Sequence, residues 1–235
     1  MCWSFGAAAI FAIIGFGFAG YLAYKKESKL LWIPLGYFAL MEALQAVTYF
    51  YLGDCASSAN RFLTLLSLLH LAFQPLFINA LVMYFIPTRI RKRIFWWVMG
   101  IAFLATIIML IKIYPFAWAG SCTPGTSFCG EIMCSIKGNW HLSWIFPLNA
   151  LGGLSIMTYH IMAAFLLPLI YGSWKTTLYG FILGPVISFL STSNPNEWPA
   201  VWCLISVGII LIIIFPKVRE AFRVKKWYFW EYPHK

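Results

Sequence analysis

The residues of this chain that could do chemistry are one carboxylate and two imidazoles set in otherwise apolar segments. Glu42 lies ten residues before its segment ends at Leu52, and His70 lies eight residues into the next segment. At about 1.5 Å per helical residue these side chains lie about 15 Å and about 12 Å from the same membrane face, so they can meet. His160 follows in a later apolar segment. Carboxylate and imidazole ligands suit Zn, Fe or Cu, and these three residues are therefore the candidates for binding a metal ion or small ligand.

Amide side chains accompany these candidates. Gln45 follows Glu42 by three residues and Gln74 follows His70 by four, so each amide shares a helix face with its candidate. An ionisable residue at mid-depth in a membrane is by default a functional hypothesis because its insertion costs several kcal/mol. The amides expected to support the ligands are Gln45, Gln74, Asn79 and Asn149.

Three hypotheses fit this set. A bound metal would activate water for hydrolysis, and a neutral Glu42 would relay protons or bind a solute in proton-coupled transport. Alternatively, the polar groups only hold helices together, at about 0.6 kcal/mol each. We favour a pocket that opens to the outside and binds a metal ion or small ligand. A non-catalytic subunit or scaffold of a larger membrane complex and a proton-coupled small-solute transporter are the alternatives, and whether the protein is an enzyme stays open.

A second constellation lies at the predicted mouth of this pocket. His141 belongs to a Trp-His pair, and Glu197 and Trp198 stand in a turn rich in Asn and Pro. Either these residues gate the pocket, or they form an aromatic belt with turn residues at the membrane interface.

The composition requires these residues to be positioned by membrane-spanning helices. Hydrophobic residues make up 62% of the 235 residues and charged residues 10%, against about 25% charged residues in soluble domains. A span needs about 20 apolar residues. We predict an all-α bundle of seven transmembrane helices in a single domain, residues 1–216, followed by a basic and aromatic tail, residues 217–235. The predicted spans are Trp3–Tyr24, Leu30–Leu52, Phe62–Ile86, Ile94–Tyr114, Leu142–Tyr171, Thr176–Leu190 and Trp198–Phe215.

The basic residues orient this bundle. Of the 17 basic residues, only Arg61, Lys112 and Lys137 lie outside the tail and the connections after the first, third and fifth spans. The positive-inside rule therefore places the C-terminus in the cytoplasm and the N-terminus outside. The net charge of +10 is explained by this asymmetry, so we expect no nucleic-acid partner. The expected partners are the lipid bilayer and, through small residues such as Gly15, neighbouring helices of this chain, of a second copy or of another subunit.

All six cysteines fall in the outer half of this topology: Cys2, Cys55, Cys122, Cys129, Cys134 and Cys203. Disulfides persist on the extracytoplasmic side of membranes, and we expect at least one bridge. Six cysteines allow 15 pairings, among which sequence does not choose.

Several strings of this chain resemble a family of small bacterial multi-pass membrane proteins known as a domain of unknown function. They are Met1–Ser4, Tyr37–Gln45, Leu69–Pro75, Asn79-Ala80, Cys129-Gly130-x3-Cys134, Trp140-His141 and Asn194–Cys203. The resemblance covers nearly the whole chain. It implies a membrane protein of the same architecture, placed in the bacterial inner membrane with its cysteine-rich loops outside, and it implies no activity.

Overall fold

The computed structural model describes residues 4–113, 116–123, 126–206 and 208–231, and it is mostly helical. The helices are α1 (Phe5–Tyr24), α2 (Lys29–Thr48), α3 (Ser58–Val82), α4 (Thr88–Ile111), α5 (Ile156–Ile161), α6 (Leu167–Tyr171), α7 (Trp174–Phe181), α8 (Ile187–Ser191), α9 (Trp198–Ser206), α10 (Ile209–Ile214) and α11 (Pro216–Phe222). Two antiparallel hairpins, β1 (Cys134–Lys137) with β2 (Leu142–Ile145) and β3 (Lys226–Trp227) with β4 (Trp230–Glu231), depart from the all-α expectation.

Four of the helical segments are long and apolar enough to cross a membrane. They are Phe5–Tyr24, Lys29–Tyr51, Ser58–Phe85 and Thr88–Ile111. The second and the third segment each end in a short 3-10 turn. A fifth helical segment, Ile156–Tyr171, is apolar but shorter. Large apolar side chains on these helices face outward, including Ile13 at 71% and Trp96 at 80% exposure. Such surfaces are typical of helices that contact lipid.

The two ends of the bundle differ in what covers them. At one end, here called the cap end, the described residues between 112 and 155 form a cap that contains β1 and β2 and contacts α3. At the other end, here called the basic end, Arg219 of α11 forms an ion pair with Glu27 at 3.0 Å. There the tail packs on the bundle, because Trp230 donates from its indole nitrogen to the Tyr171 carbonyl at 3.0 Å.

The predicted fifth span, Leu142–Tyr171, is wrong in its first half. Residues 142–145 form strand β2, and the helix begins only at Ile156, where Ser155 caps it by accepting from the Thr158 amide. Gly152 and Gly153 have φ of +75° and +68°. A left-handed backbone at two consecutive residues ends regular structure, so this segment turns within the cap before the chain enters the bundle.

Single π turns interrupt two of the later helices. Met162–Leu166 joins α5 to α6, and Ile182–Val186 joins α7 to α8. In the first, the Leu167 amide bonds to the Met162 carbonyl five residues back. The Ala163 carbonyl is thereby released, and it accepts a bond from the Asn79 side chain at 2.9 Å. Local π geometry of this kind is frequent at functional sites.

Helices α1 and α2 pack closely through small residues. A Cβ added to Gly15 would lie 2.7 Å from the Cβ of Ala39, closer than two carbons can approach. Gly17 on the same helix has no atom within 4 Å of an added Cβ. The close contact expected from Gly15 is therefore made within the chain.

Gly15→Ala should destabilise the protein, because overpacking a tight helix contact costs about 1–3 kcal/mol. Gly17→Ala is the matched control and should leave the midpoint of thermal unfolding unchanged or slightly higher, since alanine favours helix. Both midpoints are measured in detergent on the purified protein. Equal midpoints for the two variants would contradict the packing described here.

Candidate functional site

A small cavity lies inside the bundle, in the half toward the basic end. Its volume is about 40 Å³, room for about three water molecules. Phe38, Gln74, Ala164 and Trp202 line it on the cap side, and Thr176 is among the residues at its other side. Two atoms of this lining, Gln74 Oε1 and Thr176 Oγ1, are buried with no hydrogen-bond partner among the described residues. The cavity is therefore apolar with a few polar groups, as ligand sites usually are.

Three sequence-predicted residues form a layer next to this cavity, which we call the polar layer: Glu42, His70 and His160. Each lies four residues, about 6 Å, toward the cap from a residue of the cavity wall. The corresponding wall residue is Phe38 for Glu42, Gln74 for His70 and Ala164 for His160. All three are buried, with exposed fractions of 0%, 7% and 0%. The structure thus brings the three candidates to one depth.

Most polar atoms of this layer lack partners. Both carboxyl oxygens of Glu42 and Nδ1 of His70 make no hydrogen bond to the described part of the chain. The same holds for both ring nitrogens of His160, although the Leu71 backbone lies beside that ring. Glu42 is close enough to Cys203 to interact with it electrostatically. Buried polar groups in native proteins are satisfied by protein, water or ligand, so these atoms require water or a ligand where the described residues supply no partner.

His70 is oriented by α2. Its Nε2 bonds to the Tyr37 carbonyl at 2.7 Å, and the Tyr37 hydroxyl donates to the His70 carbonyl at 2.6 Å. The Tyr37 ring stacks between His70 at 3.9 Å and Phe77 at 3.6 Å between ring centroids. With one nitrogen and one face engaged, His70 presents Nδ1 alone to the polar layer.

Gln45 closes the layer on the cap side. Its Oε1 bonds to Nε2 of His141 at 2.6 Å, and Nδ1 of His141 bonds to the Tyr49 hydroxyl at 2.5 Å. Since an amide oxygen only accepts, His141 donates from Nε2 and accepts at Nδ1 from Tyr49, which is the neutral imidazole. Burial lowers the pKa of His141 to about 4, in agreement with this arrangement. We call Gln45, Tyr49 and His141 the lid.

Glu197 holds the lid in place. Its carboxylate accepts backbone amides of Asn139 at 3.1 Å and Trp140 at 2.5 Å, the amide of His141, and the Thr192 hydroxyl at 2.8 Å. These three amides belong to the turn between β1 and β2. The predicted pair of His141 and Glu197 therefore meets, but through the backbone of His141 and not through its ring.

Gly138 makes room for this carboxylate. A Cβ there would lie 2.7 Å from Cδ of Glu197 and 2.5 Å from the His141 carbonyl oxygen. The turn is thus shaped around Glu197. Trp198, the third predicted mouth residue, bonds from its indole nitrogen to the Thr192 carbonyl at 2.8 Å and braces the connection between α8 and α9 that carries Glu197.

Asn79 and Asn149 lie away from the polar layer. Asn79 donates to the carbonyls of Pro75 and Ala163 and accepts from the Tyr171 hydroxyl at 3.1 Å, so it joins helices at the basic end. Asn149 lies in the cap, where it donates to the Ile111 carbonyl at 2.9 Å. The prediction that Asn149 lies in a membrane-spanning helix is wrong, because its segment is not helical.

Two disulfides cross-link the cap. Cys55 bonds to Cys134, and Cys122 bonds to Cys129. The first ties the connection between α2 and α3 to strand β1. Cys203 is a free, buried thiol that accepts a bond from Gln74 Nε2 at 3.9 Å, and Cys2 lies outside the described residues. At least one disulfide was expected, and the bridges confirm it.

The described residues contain no cluster of ligands for the metal ion that the sequence led us to expect. Within the described ranges, no group of three or more His, Cys, Asp and Glu is arranged to hold a metal ion. Structural and catalytic transition-metal sites use at least three protein ligands as a rule. Zn, Fe or Cu binding therefore stays a prediction that rests on residue types alone.

Two functional contributors have no clear signal in the sequence. Asn60 pairs with both backbone polar groups of Ser135 at 2.9 Å, as a neighbouring strand would, and so fastens the cap to α3. Thr176 adds its hydroxyl to the cavity. Asn60 is a polar residue in the first turn of an apolar helix, a weak hint, whereas nothing local distinguishes Thr176 from the adjacent Thr177.

Comparison with known proteins gives a family without an activity. The model of a family of unknown function, DUF5765, matches residues 6–223. This range includes the polar layer, the lid and both disulfides. No curated protein and no solved structure matches the chain.

Glu197→Gln should destabilise the cap, because the new amide group places N–H donors against buried donors. Unpaired buried donors cost about 1–3 kcal/mol each, so we expect a loss of about 3 kcal/mol and a lower thermal midpoint in detergent. Glu131→Gln, which changes an exposed cap carboxylate, is the control and should have no effect. A midpoint for Glu197→Gln equal to that of the control would show that the carboxylate does not organise the turn.

Acid should destabilise the lid through His141. The pKa of this residue is lowered from 6.5 to about 4 by burial, so between these values the unfolded chain binds a proton that the folded chain does not. Stability attributed to His141 is thus present above pH 6.5, falls as the pH drops toward 4, and totals at most about 3 kcal/mol. In thermal unfolding measured from pH 7 to pH 4, His141→Gln should show a shallower decline than wild type. Parallel pH profiles would contradict the assignment.

Proposed function

Because the chain belongs to the DUF5765 family of unknown function, which supplies no activity, we propose from its own geometry that it binds a small polar ligand. The ligand would sit in the polar layer and carry hydrogen-bond donors, as an amine or ammonium compound does. It would reach this layer from the cavity at the basic end.

The proposed architecture is seven spans with the cap outside the cell. The four long helices supply the first four spans. The other three would be Ile156–Tyr171, Trp174–Ser191 and the segment from Trp198 to Ile214, the last two of which pair α7 with α8 and α9 with α10. The basic end carries the connections rich in Lys and Arg, so it would face the cytoplasm, and the disulfide-linked cap would face the periplasm or exterior of a bacterial inner membrane.

One observation carries the ligand proposal: the unpartnered atoms of the polar layer and cavity are mostly acceptors. Glu42 contributes two oxygens and Gln74 contributes Oε1, while the imidazoles of His70 and His160 can accept or donate. The opposing donor is Nε2 of Gln45. A ligand that presents several N–H groups would satisfy these acceptors at once, and a positive charge would pair with a Glu42 carboxylate that has no basic partner among the described ion pairs.

A purely structural role for these residues is a weaker explanation. Asn79 illustrates what helix-bonding polar groups do, since it pairs with the Ala163 carbonyl and the Tyr171 hydroxyl of neighbouring elements and with the Pro75 carbonyl of its own helix. Glu42 makes no such bond within the described residues, and His160 approaches only the Leu71 backbone. Burying polar groups without partners costs free energy and stabilises no helix contact, so their presence is better explained by a ligand.

The proposed ligand enters from the cytoplasmic side, whereas the sequence led us to expect a pocket that opens to the outside. The lid and Glu197 cover the polar layer on the cap side, and each of these side chains is buried apart from that of Tyr49. The cavity lies on the opposite side of the layer. Closure at one end with space at the other also favours transport as a second candidate function, with this conformation as the inward-facing state.

The test is ligand-induced stabilisation of purified protein in detergent. Methylamine, ethanolamine and guanidinium, each added at millimolar concentration, are compared by thermal midpoint with equal sodium chloride. We expect at least one of them to raise the midpoint of wild type, by mass action on the folded state. Glu42→Gln should lose at least tenfold in apparent affinity, because it removes the charge that pairs with the ligand.

Glu131→Gln serves as the control, since it removes an exposed carboxylate outside the cavity. The amine proposal would be contradicted if the amines still stabilised Glu42→Gln. It would also be contradicted if Zn²⁺, and none of the amines, stabilised wild type. If the protein is a transporter, the amine that stabilises it should accumulate inside sealed proteoliposomes. If the protein only binds the amine, no accumulation is expected. Stoichiometric partner proteins after mild solubilisation, with no response to any amine, would favour the subunit hypothesis.

A further inference from the structure

An apolar groove lies on the outside of the bundle, between α5, α8 and α9. Its volume is about 300 Å³, at the lower end of the range for ligand pockets. The residues that line it include Val186, Ser188, Phe189, Leu190, Trp198 and Trp202. Every one of these residues except Ser188 is apolar. We propose that this groove binds one acyl chain of a membrane phospholipid and that Ser188 donates a hydrogen bond to the ester carbonyl of that chain.

Ser188 differs from most hydroxyl residues of the helices, and shares its lack of a partner with Thr176 at the inner cavity. Thr48, Thr64, Ser67, Thr106, Thr177 and Ser191 each donate to the carbonyl four residues back, at 2.7–3.1 Å. Ser188 is buried and its Oγ has no partner in the described structure. The residue four positions earlier, Gly184, lies in the π turn, and its carbonyl accepts the Ile187 amide instead. The π turn thereby leaves one hydroxyl available at the wall of an apolar groove.

The surroundings of the groove identify a lipid as its occupant. Phe189 and Leu190 on its rim are 64% and 76% exposed, and these side chains lie on helices that the proposed architecture places in the membrane. An apolar groove there is filled by hydrocarbon, since water would find one hydroxyl only. No lining residue is charged, so the chain and its ester, and not a head group, would be recognised.

The depth of Ser188 agrees with an ester. Helix α8 ends at Ser191, three residues or about 4.5 Å nearer the cap end. Trp198 bonds to the Thr192 carbonyl just beyond that end, and tryptophans with a bonded indole N–H are enriched at the membrane interface. The ester carbonyls of phospholipids lie immediately inside that interface, so a chain that enters from the cap-side leaflet passes Ser188 as it descends. This inference uses the membrane architecture and does not depend on the amine site.

The ester contact is tested with two lipids that differ only there. The full chain is placed in nanodiscs of equimolar dioleoyl phosphatidylcholine and its dioleyl diether analogue, extracted into mild detergent, washed, and analysed by native mass spectrometry. Wild type should retain one phospholipid per chain, with the diester favoured about fivefold, the ratio expected from one hydrogen bond. Absence of retained lipid, or equal retention of the two lipids, would overturn the proposal without any variant.

Variants locate the contact. Ser188→Ala should abolish the preference for the diester, whereas Ser191→Ala, whose hydroxyl is already bonded to Ile187, should keep it. Val186→Phe fills the groove and should lose the retained lipid, while Leu178→Phe, on an exposed face outside the groove, should keep it. Thermal midpoints near that of wild type show that each variant is folded. A diester preference that persists in Ser188→Ala would assign the lipid to another site.

Discussion

The arrangement of the site depends on one buried carboxylate, that of Glu197. It accepts three consecutive backbone amides from the β1–β2 turn and a hydroxyl from Thr192. Hydrogen bonds to a carboxylate are about twice as strong as neutral ones, so this cluster sets the position of the turn. The β1–β2 turn then places His141 over Gln45 and Tyr49. Without Glu197 the cap would retain its disulfides but lose the contact that covers the polar layer.

The buried polar side chains at the two ends of the bundle are hydrogen-bonded, whereas most of those between the ends are not. At the cap, Asn60 and Glu197 are fully engaged, and near the basic end Asn79 is as well. Between them, Glu42, His160 and the carbonyl of the Gln74 side chain are not. Polar groups that hold a membrane bundle together are expected to find each other, because hydrocarbon offers no alternative. The interruption in pairing at one depth therefore separates the proposed ligand site from the structural bonds on either side.

The π turns connect this division to the lipid-facing surface. In α5–α6 the turn releases a carbonyl that Asn79 takes up, and in α7–α8 it leaves the Ser188 hydroxyl without an acceptor. Trp202 lies between the two regions, since it lines both the inner cavity and the outer groove. Its ring also contacts His160 edge to face at 4.9 Å. One side chain thus shares surface with both proposed sites.

The sequence by itself determined the properties that follow from one residue and its neighbours along the chain. Apolar runs predicted helices, and periodicity placed Glu42, His70 and their amides on shared faces, since helical spacing is local. It also predicted extracytoplasmic disulfides, but not which of 15 pairings forms, because pairing depends on residues such as Cys55 and Cys134 that lie 79 positions apart. Only the tertiary structure decided that Asn149 and the first half of the fifth predicted span belong to a cap, that Glu197 binds the backbone of His141, and that the polar layer is closed on the cap side. The physical reason is that each of these features is a contact between distant segments, whose direction no local pattern specifies.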